Sequence, residues 1–294
     1  MTTAERAGRL QLQSGDRMAI VAGSGRLPVD LAENLAARGH KPFVVLVRGE
    51  ANSELASYDH EELTVENFAG LAPLLKRQRI THAVFAGGIS RRPKLSALKP
   101  SMALLRFLPR ALAALAKGDN GMLRALAAAV ETYGVKVVGA HEIAPDLLAS
   151  EGSMTSIAPR KSDWPDIEAA AEAARAIGAL DIGQAAIAIG GRVIALEGVE
   201  GTDGLLERVK GLRLHGRLAG KKRGVLVKCA KPGQELRMDM PSIGPGTVTA
   251  AHAAGLAGIA VEADRSLVLE VANVIGEADR LGLFVVGLPP ERSP

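Results

Sequence analysis

The chain reads as an α/β protein of two domains, an N-terminal Rossmann-like parallel sheet and a C-terminal mixed α/β domain joined by a linker. Three observations carry this expectation. The length, 294 residues, exceeds what one domain usually holds. Short apolar runs alternate with longer alanine- and leucine-rich segments, the order of strand and helix in a doubly wound sheet. Composition supplies the third: 47% hydrophobic residues with only 3% aromatic build cores from Ala, Leu, Val and Ile, which suit close helix-on-sheet packing.

The elements follow in order. Residues 1–16 are polar and mixed in charge and are expected to be an N-terminal extension. Arg17 to Ala22 is the first strand, opening directly into Gly23-Ser24-Gly25. The helix after it runs from Pro28 to Arg38, with proline at its start and Gly39 past its end. Pro42–Val47, Ile80–Ala86 and Val135–Val138 are further strands, and helices are expected over Leu71–Gln78 and Asn120–Tyr133. These define a first domain at 17–148. Residues 149–166 hold Gly, Ser and Pro without a sustained period and are expected to be the linker. The second domain, 167–294, starts with an alanine-rich helix near 166–178. Gln184–Ile189 and Arg192–Glu197 flank Gly190-Gly191 as a hairpin. Then come a helix from Leu205, a strand at 224–230, a helix from Thr247, a strand at Gly258–Glu262, a helix from Val268 and a strand from Leu283.

Charge and composition exclude several functions. The net charge is +4, a mild excess that fits an anionic ligand or an anionic membrane surface. No aromatic and basic residues interleave as a nucleic-acid platform needs, so no nucleic-acid partner is expected. A single cysteine, Cys229, excludes a disulfide framework and a zinc–cysteine site and is compatible with the cytosol. It reads as a small apolar strand residue. With no signal-like apolar region and no run of about 18 apolar residues, any membrane contact is expected to be peripheral.

The motifs narrow the chemistry. Gly23-x-Gly25 after a strand and before a helix lets backbone approach an anion, or simply makes a tight turn. Pro28 occupies the third glycine position of the dinucleotide pattern and Arg48 follows the second strand, which weakens a nicotinamide reading. Gly87-Gly88, followed by Arg91 and Arg92, ends another strand of the same sheet, so both glycine pairs are expected to line one crevice at the strand ends. Lys99–Lys117 mixes bulky apolar residues with Lys99, Arg106, Arg110 and Lys117, and reads as a core-facing helix or as a surface for anionic lipid. Asp119 caps the following helix or meets a ligand. Glu197-Gly-Val-Glu200-Gly-Thr202-Asp203-Gly204 is a tight acidic loop suited to a cation or a sugar hydroxyl, with Asp203 alternatively a helix cap. No histidine pair has metal-ligand spacing, and no Walker or Gly-x-Ser-x-Gly motif occurs.

The segment Lys228–Gly246 remains. A strand delivers Lys228 and Lys231, then Arg237 and Asp239, into a Gly- and Pro-shaped loop. Cations able to hold phosphate beside one carboxylate are what cleavage of a diphosphate needs. Asp239 either positions water or ligates Mg2+, a cation that takes one or two carboxylates with phosphate oxygens. A helix cap before Pro241 is its bland alternative.

Taken together, Ala22–Pro28, Ala86–Ser90, Gly118–Asn120, Asp181–Gln184, Glu197–Asp203, Lys228–Pro232 and Met238–Gly244 resemble the LpxI family of UDP-2,3-diacylglucosamine pyrophosphatases, enzymes of lipid A biosynthesis. The resemblance runs from about Met18 to Leu288. It implies two α/β domains with a lipid-linked UDP-sugar held between them. The implied reaction is divalent-cation-dependent hydrolysis to UMP and 2,3-diacylglucosamine 1-phosphate, water attacking the sugar-side phosphorus. The essential aspartate would be Asp239. Gly23, Ser24, Gly25, Gly87, Gly88, Gln184, Thr202 and Asp203 would contact substrate. It further implies a cytoplasmic protein peripherally associated with the inner membrane of a Gram-negative cell, and a homodimer. Two other readings stay open at this point: a nicotinamide-dependent oxidoreductase resting on Gly23-x-Gly25, and a non-catalytic lipid- or nucleotide-binding regulator.

Overall fold

The computed structural model describes residues 9–89, 118–214, 216, 218 and 223–290. Lys99–Lys117, Ser90, Arg91 and Arg92 lie outside them. The chain divides into two compact units, and the division is not a single cut: Ala7–Pro145 with Glu235–Asp239 forms one, Asp146–Gln234 with Met240–Pro294 the other.

In the first unit the elements are β1 (Met18–Ala22), α1 (Leu27–Ala37), β2 (Phe43–Val47), β3 (Asp59–Leu63), α2 (Leu71–Arg77), β4 (His82–Ala86), α3 (Gly118–Glu131), β5 (Lys136–Val138) and the short α4 (Ala140–Ile143). The five strands form one sheet in the order β3-β2-β1-β4-β5, all parallel. Strand β1 is buried throughout, as a central parallel strand should be. Side chains alternate across it. Ala19 and Val21 join Phe43, Val45, Leu71, Leu75, Val130 and Val137 in one core, which also takes in Met238 from the returning segment. Helix α1 packs along β1 and buries Leu31, Ala32 and Leu35. Strand β3 is absent from the sequence reading because Asp59-His-Glu-Glu-Leu63 is polar. Among the described residues it pairs on one side only, with β2, and an edge strand tolerates charge on its exposed face.

The second unit contains β6 (Gly152–Ser153), α5 (Trp164–Ala179), β7 (Ala185–Ile189), β8 (Arg192–Leu196), α6 (Gly201–Leu214), β9 (Val225–Lys228), β10 (Ser242–Ile243), α7 (Pro245–Ala253), β11 (Gly258–Glu262), β12 (Leu267–Val268), α8 (Val271–Leu281) and β13 (Phe284–Leu288). Its main sheet is mixed, ordered β6-β13-β11-β9-β7-β8. Strands β9, β11 and β13 are parallel, while β6, β7 and β8 join antiparallel. One face buries Ile167, Ala170, Ala171 and Ala174 of α5 against Ala186, Val225, Val227 and Val286. The other packs Leu205, Val209, Val248 and Val274 from α6, α7 and α8 against Ile187, Leu226, Ile259 and Val285. Among the described residues, no helix is long and apolar enough to cross a membrane.

Three expectations are corrected. Residues 149–166 are not a free linker. Ser153 and Gly152 pair with Val286 and Gly287, the Met154 N–H donates to Val285 O at 2.9 Å and the Val285 N–H to Thr155 Oγ1 at 3.0 Å. These bonds make the stretch part of the second unit, which begins at Asp146 rather than residue 167. Residues 235–239 do not belong with 167–294, because their side chains pack on the first unit. The helix expected from Leu205 begins at Gly201, so Thr202 and Asp203 lie in its first turn, where a carboxylate meets the positive end of the helix dipole.

Candidate active site

In the first unit the strand order reverses between β1 and β4, the place where open α/β sheets bind ligands at the carboxyl ends of their strands. Both glycine motifs sit there, and their backbones clasp each other. The Ser24 N–H donates to Gly88 O at 2.8 Å, the Gly88 N–H to Ser24 O at 3.1 Å, and Ser24 Oγ to Gly88 O at 3.0 Å. A Cβ on Gly23 would collide with Gly88 O, and one on Gly87, whose φ is +86°, with Ser24 O. Gly23 and Gly87 are therefore required by the approach of one loop to the other. Gly25 differs: its φ is +93° and, among the described residues, nothing lies within 4 Å of where a Cβ would be. Its backbone is open to the approach of a ligand. Gly88 faces only Ser24 Oγ.

The segment carrying Asp239 is seated on the same unit. The Glu235 N–H donates to Asn120 Oδ1 at 3.0 Å. Arg237 Nε and Nη2 hold Glu235 through both carboxylate oxygens at 2.9 and 3.0 Å, and Nη1 reaches Glu131 Oε1 at 2.9 Å. Met238 is 8% exposed. The Met238 and Asp239 N–H groups both donate to Glu235 O, at 2.9 and 3.0 Å, forming a turn that leaves Asp239 exposed. The guanidinium holds the Glu235 carboxyl below its ordinary range. Arg237 was expected to hold phosphate; the structure shows it matched by two carboxylates. Its side chain and that of Glu131 are each 38% exposed, so these ion pairs contribute geometry more than stability. Asp119 falls in the first turn of α3. His141 of α4 lies beside Gly139, which in turn abuts the Arg237 Cα, and burial pushes its imidazole below the ordinary 6.5.

In the second unit two candidates meet at one buried carboxylate and a third, Lys228, joins them through Thr202. Glu197 is 6% exposed. It accepts the Thr202 hydroxyl at 2.6 Å through Oε1 and the Gln184 N–H at 2.8 Å through Oε2. Lys228, at the carboxyl end of β9, donates through Nζ to Thr202 Oγ1 and to Ser242 O, each at 3.0 Å. Gln184 O accepts the Cys229 N–H at 3.0 Å, which ties the start of β7 to the end of β9. Lys231 forms an ion pair with Asp181 at 2.5 Å. Asp203 is exposed. The sequence points to Gln184, Thr202 and Lys228 singly and to Glu197 as the first acid of the 197–204 loop; its role as the shared acceptor for Gln184 and Thr202 has no signal in the spacing.

Among the described residues, no three His, Cys, Asp or Glu side chains gather as a metal cluster. A single exposed carboxylate such as Asp239 fits a hard cation held chiefly by phosphate and water. A groove of about 580 Å3 between α7 and α8, bordered by Thr249, Asn273 and Gly276, contains none of the candidate residues.

The chain is thus a two-domain α/β protein with polar residues gathered at the carboxyl ends of parallel strands in each unit. Family models match both halves, the LpxI N-terminal domain over residues 17–147 and the LpxI C-terminal domain over 150–286. The chain belongs to the LpxI family. It is 39% identical over 280 residues to the UDP-2,3-diacylglucosamine pyrophosphatase LpxI of Caulobacter vibrioides, a match spanning 95% of this chain and 99% of that protein. Among solved structures, the UDP-glucose 4-epimerase of Thermus thermophilus in complex with NAD matches at 15% identity over 95% of this chain and 88% of that one, with a TM-score of 0.29.

Proposed function

We propose that the protein hydrolyses the pyrophosphate bond of UDP-2,3-diacylglucosamine, releasing UMP and 2,3-diacylglucosamine 1-phosphate. The observation that carries this is the match to a pyrophosphatase of that name along nearly the whole of both chains. Neither the oxidoreductase nor the regulator reading has comparable support.

The chemistry assigns parts to the chain's own residues. Asp239, exposed on a turn fixed by Glu235, Arg237 and Met238, is the carboxylate for the attacking water or for a cation. Lys228 supplies positive charge for the diphosphate, and Thr202, whose proton goes to Glu197, accepts from that ammonium and directs it. Gly25 offers a backbone unobstructed by any of the described residues, and Gln184 lies beside the Lys228 strand end. Mg2+ held by Asp239 and by substrate phosphate oxygens would neutralise charge on the diphosphate as the bond breaks. Arg237 is assigned to holding the Asp239 turn, because its guanidinium already binds two carboxylates. Peripheral contact with an anionic bilayer and a homodimeric state belong to the same proposal.

The test is hydrolysis of UDP-2,3-diacylglucosamine in 18O-labelled water with Mg2+, with the products separated by mass. Label is expected in the sugar phosphate. Label in UMP would overturn attack at the sugar-side phosphorus, and absence of UMP would overturn the function. Asp239→Asn is expected to lower kcat by at least roughly 10²-fold with the fold intact, the size typical of a lost acid–base or charge-stabilising group. Near-normal turnover would remove Asp239 from the chemistry.

A further inference from the structure

We propose that Glu197 is a positioning residue of this reaction: its buried carboxylate fixes the Thr202 hydroxyl, the start of β7 at Gln184 and, through Thr202, the Lys228 ammonium. The proposal rests on the reading above that Lys228 and Gln184 meet the substrate.

The argument starts from cost. A carboxylate that is only 6% exposed must recover the solvation it has lost through hydrogen bonds and charge. The β7–β8 hairpin pairs through its backbone along Ala186–Ile189 without this side chain. What the charge does instead is set directions. A threonine hydroxyl has one proton. With that proton donated to Glu197 Oε1 at 2.6 Å, the oxygen turns lone pairs to Lys228 and accepts from Nζ at 3.0 Å. A second ammonium proton goes to Ser242 O at 3.0 Å, so these two bonds set the direction of the Lys228 ammonium. The other oxygen of Glu197 takes the Gln184 N–H at 2.8 Å. Gly183 has no room for a Cβ, because the Glu197 backbone occupies that space. The two loops are therefore locked at the position from which Gln184 projects. Gln184 keeps its amide oxygen buried with no hydrogen-bond partner among the described residues, the kind of orphan acceptor a bound donor would satisfy.

Glu197→Gln keeps the shape and removes the charge. Its amide nitrogen faces either the Gln184 N–H, donor against donor, or the Thr202 oxygen, which must then accept and turn its own proton away. Turnover of UDP-2,3-diacylglucosamine is expected to fall about 10–100-fold, the range for a lost hydrogen bond to a charged group, with more of the loss in kcat than in KM, in a chain that stays folded with a lowered melting temperature. Thr202→Val should lose a similar factor, and Thr202→Ser should retain turnover. The double variant, Glu197→Gln with Thr202→Val, should lose no more than the worse single one, since both act through one chain of bonds. Turnover by Glu197→Gln within about threefold of wild type, or losses that multiply in the double variant, would overturn the proposal. If Glu197→Gln fails to fold, the contrast between Thr202→Val and Thr202→Ser decides: equal turnover in the two overturns it.

A second readout separates this inference from the functional reading. In a 15N-labelled sample the Gln184 amide proton, bonded to a carboxylate, should resonate downfield and move upfield in Glu197→Gln. Should the wild-type chain release no UMP, the function above falls. The amide shift then decides the positioning, and an unmoved resonance overturns it.

Discussion

Met238 offers the sharpest test of how the Asp239 turn is supported. The residue is 8% exposed and shares a core with Val130, Val137 and Leu75, all of them far from it in the chain. Met238→Ala removes the part of the side chain that fills this core. Large-to-small changes of this kind cost about 2–5 kcal/mol. Because the side chain enters from a loop whose backbone can settle inward, the lower half, about 2–3 kcal/mol, is expected. For a unit of this size that is a fall of about 6–15 °C in melting temperature. Met238→Leu preserves volume and should cost less than about 1.5 kcal/mol. The assay is calorimetric unfolding combined with hydrogen exchange, read at the amides of β5 and α3. Loss of protection is expected there, with β7 and β9 unchanged. Turnover should drop in Met238→Ala and recover in Met238→Leu, since the turn presenting Asp239 is seated by this side chain. Unfolding and exchange in Met238→Ala identical to wild type would refute the reasoning, because residues 235–239 would then not be part of the first unit's core.

Two further outcomes follow. Gly23→Ala and Gly87→Ala should destabilise the first unit, since each places a methyl against backbone of the opposite loop; Gly25→Ala, with open space around it, should cost only about 1–2 kcal/mol for its left-handed backbone while raising KM. Thermal shifts and KM measured on the three variants check this, and equal destabilisation by all three would contradict it. His141 predicts the pH dependence. Burial lowers its folded pKa below 6.5, so below that pH the unfolded chain binds a proton that the folded chain refuses. Its contribution is therefore fully present above pH 6.5 and lost as pH falls, with a slope of at most about 1.4 kcal/mol per pH unit. Urea midpoints from pH 7.5 to 5.5 should fall more steeply for wild type than for His141→Gln, and parallel profiles would exclude the effect.

Much of the fold was legible because the cores are periodic. Met18–Ala22, Ala185–Ile189 and Phe284–Leu288 are apolar along their length and stand in the structure as fully buried strands. Asp59–Leu63 was not legible, since an edge strand beside β2 satisfies its backbone on one side and can carry three acids. The stretch at 149–166 looked like a linker because its stability comes from backbone pairing with β13, which leaves no hydrophobic period. In the site, residue types pointed to the right chemistry while partners did not follow from spacing. Nothing near Arg237 announces Glu131, 106 positions away, and nothing near Lys228 announces that Thr202 and Glu197 fix its direction. The glycines show the same limit. Gly23 and Gly25 look alike in sequence, yet one faces the neighbouring backbone and the other faces open space.

The return of residues 235–239 to the first unit also sets a timetable for biosynthesis. A ribosome that has released Pro145 has made every strand of that unit, but Met238 is still 93 residues from being translated. At about 5–20 residues per second this interval lasts roughly 5–20 s, long compared with the folding of most small domains. Throughout it the core of the nascent unit lacks Met238, and the turn that carries it must arrive from a chain already committed to building the second unit.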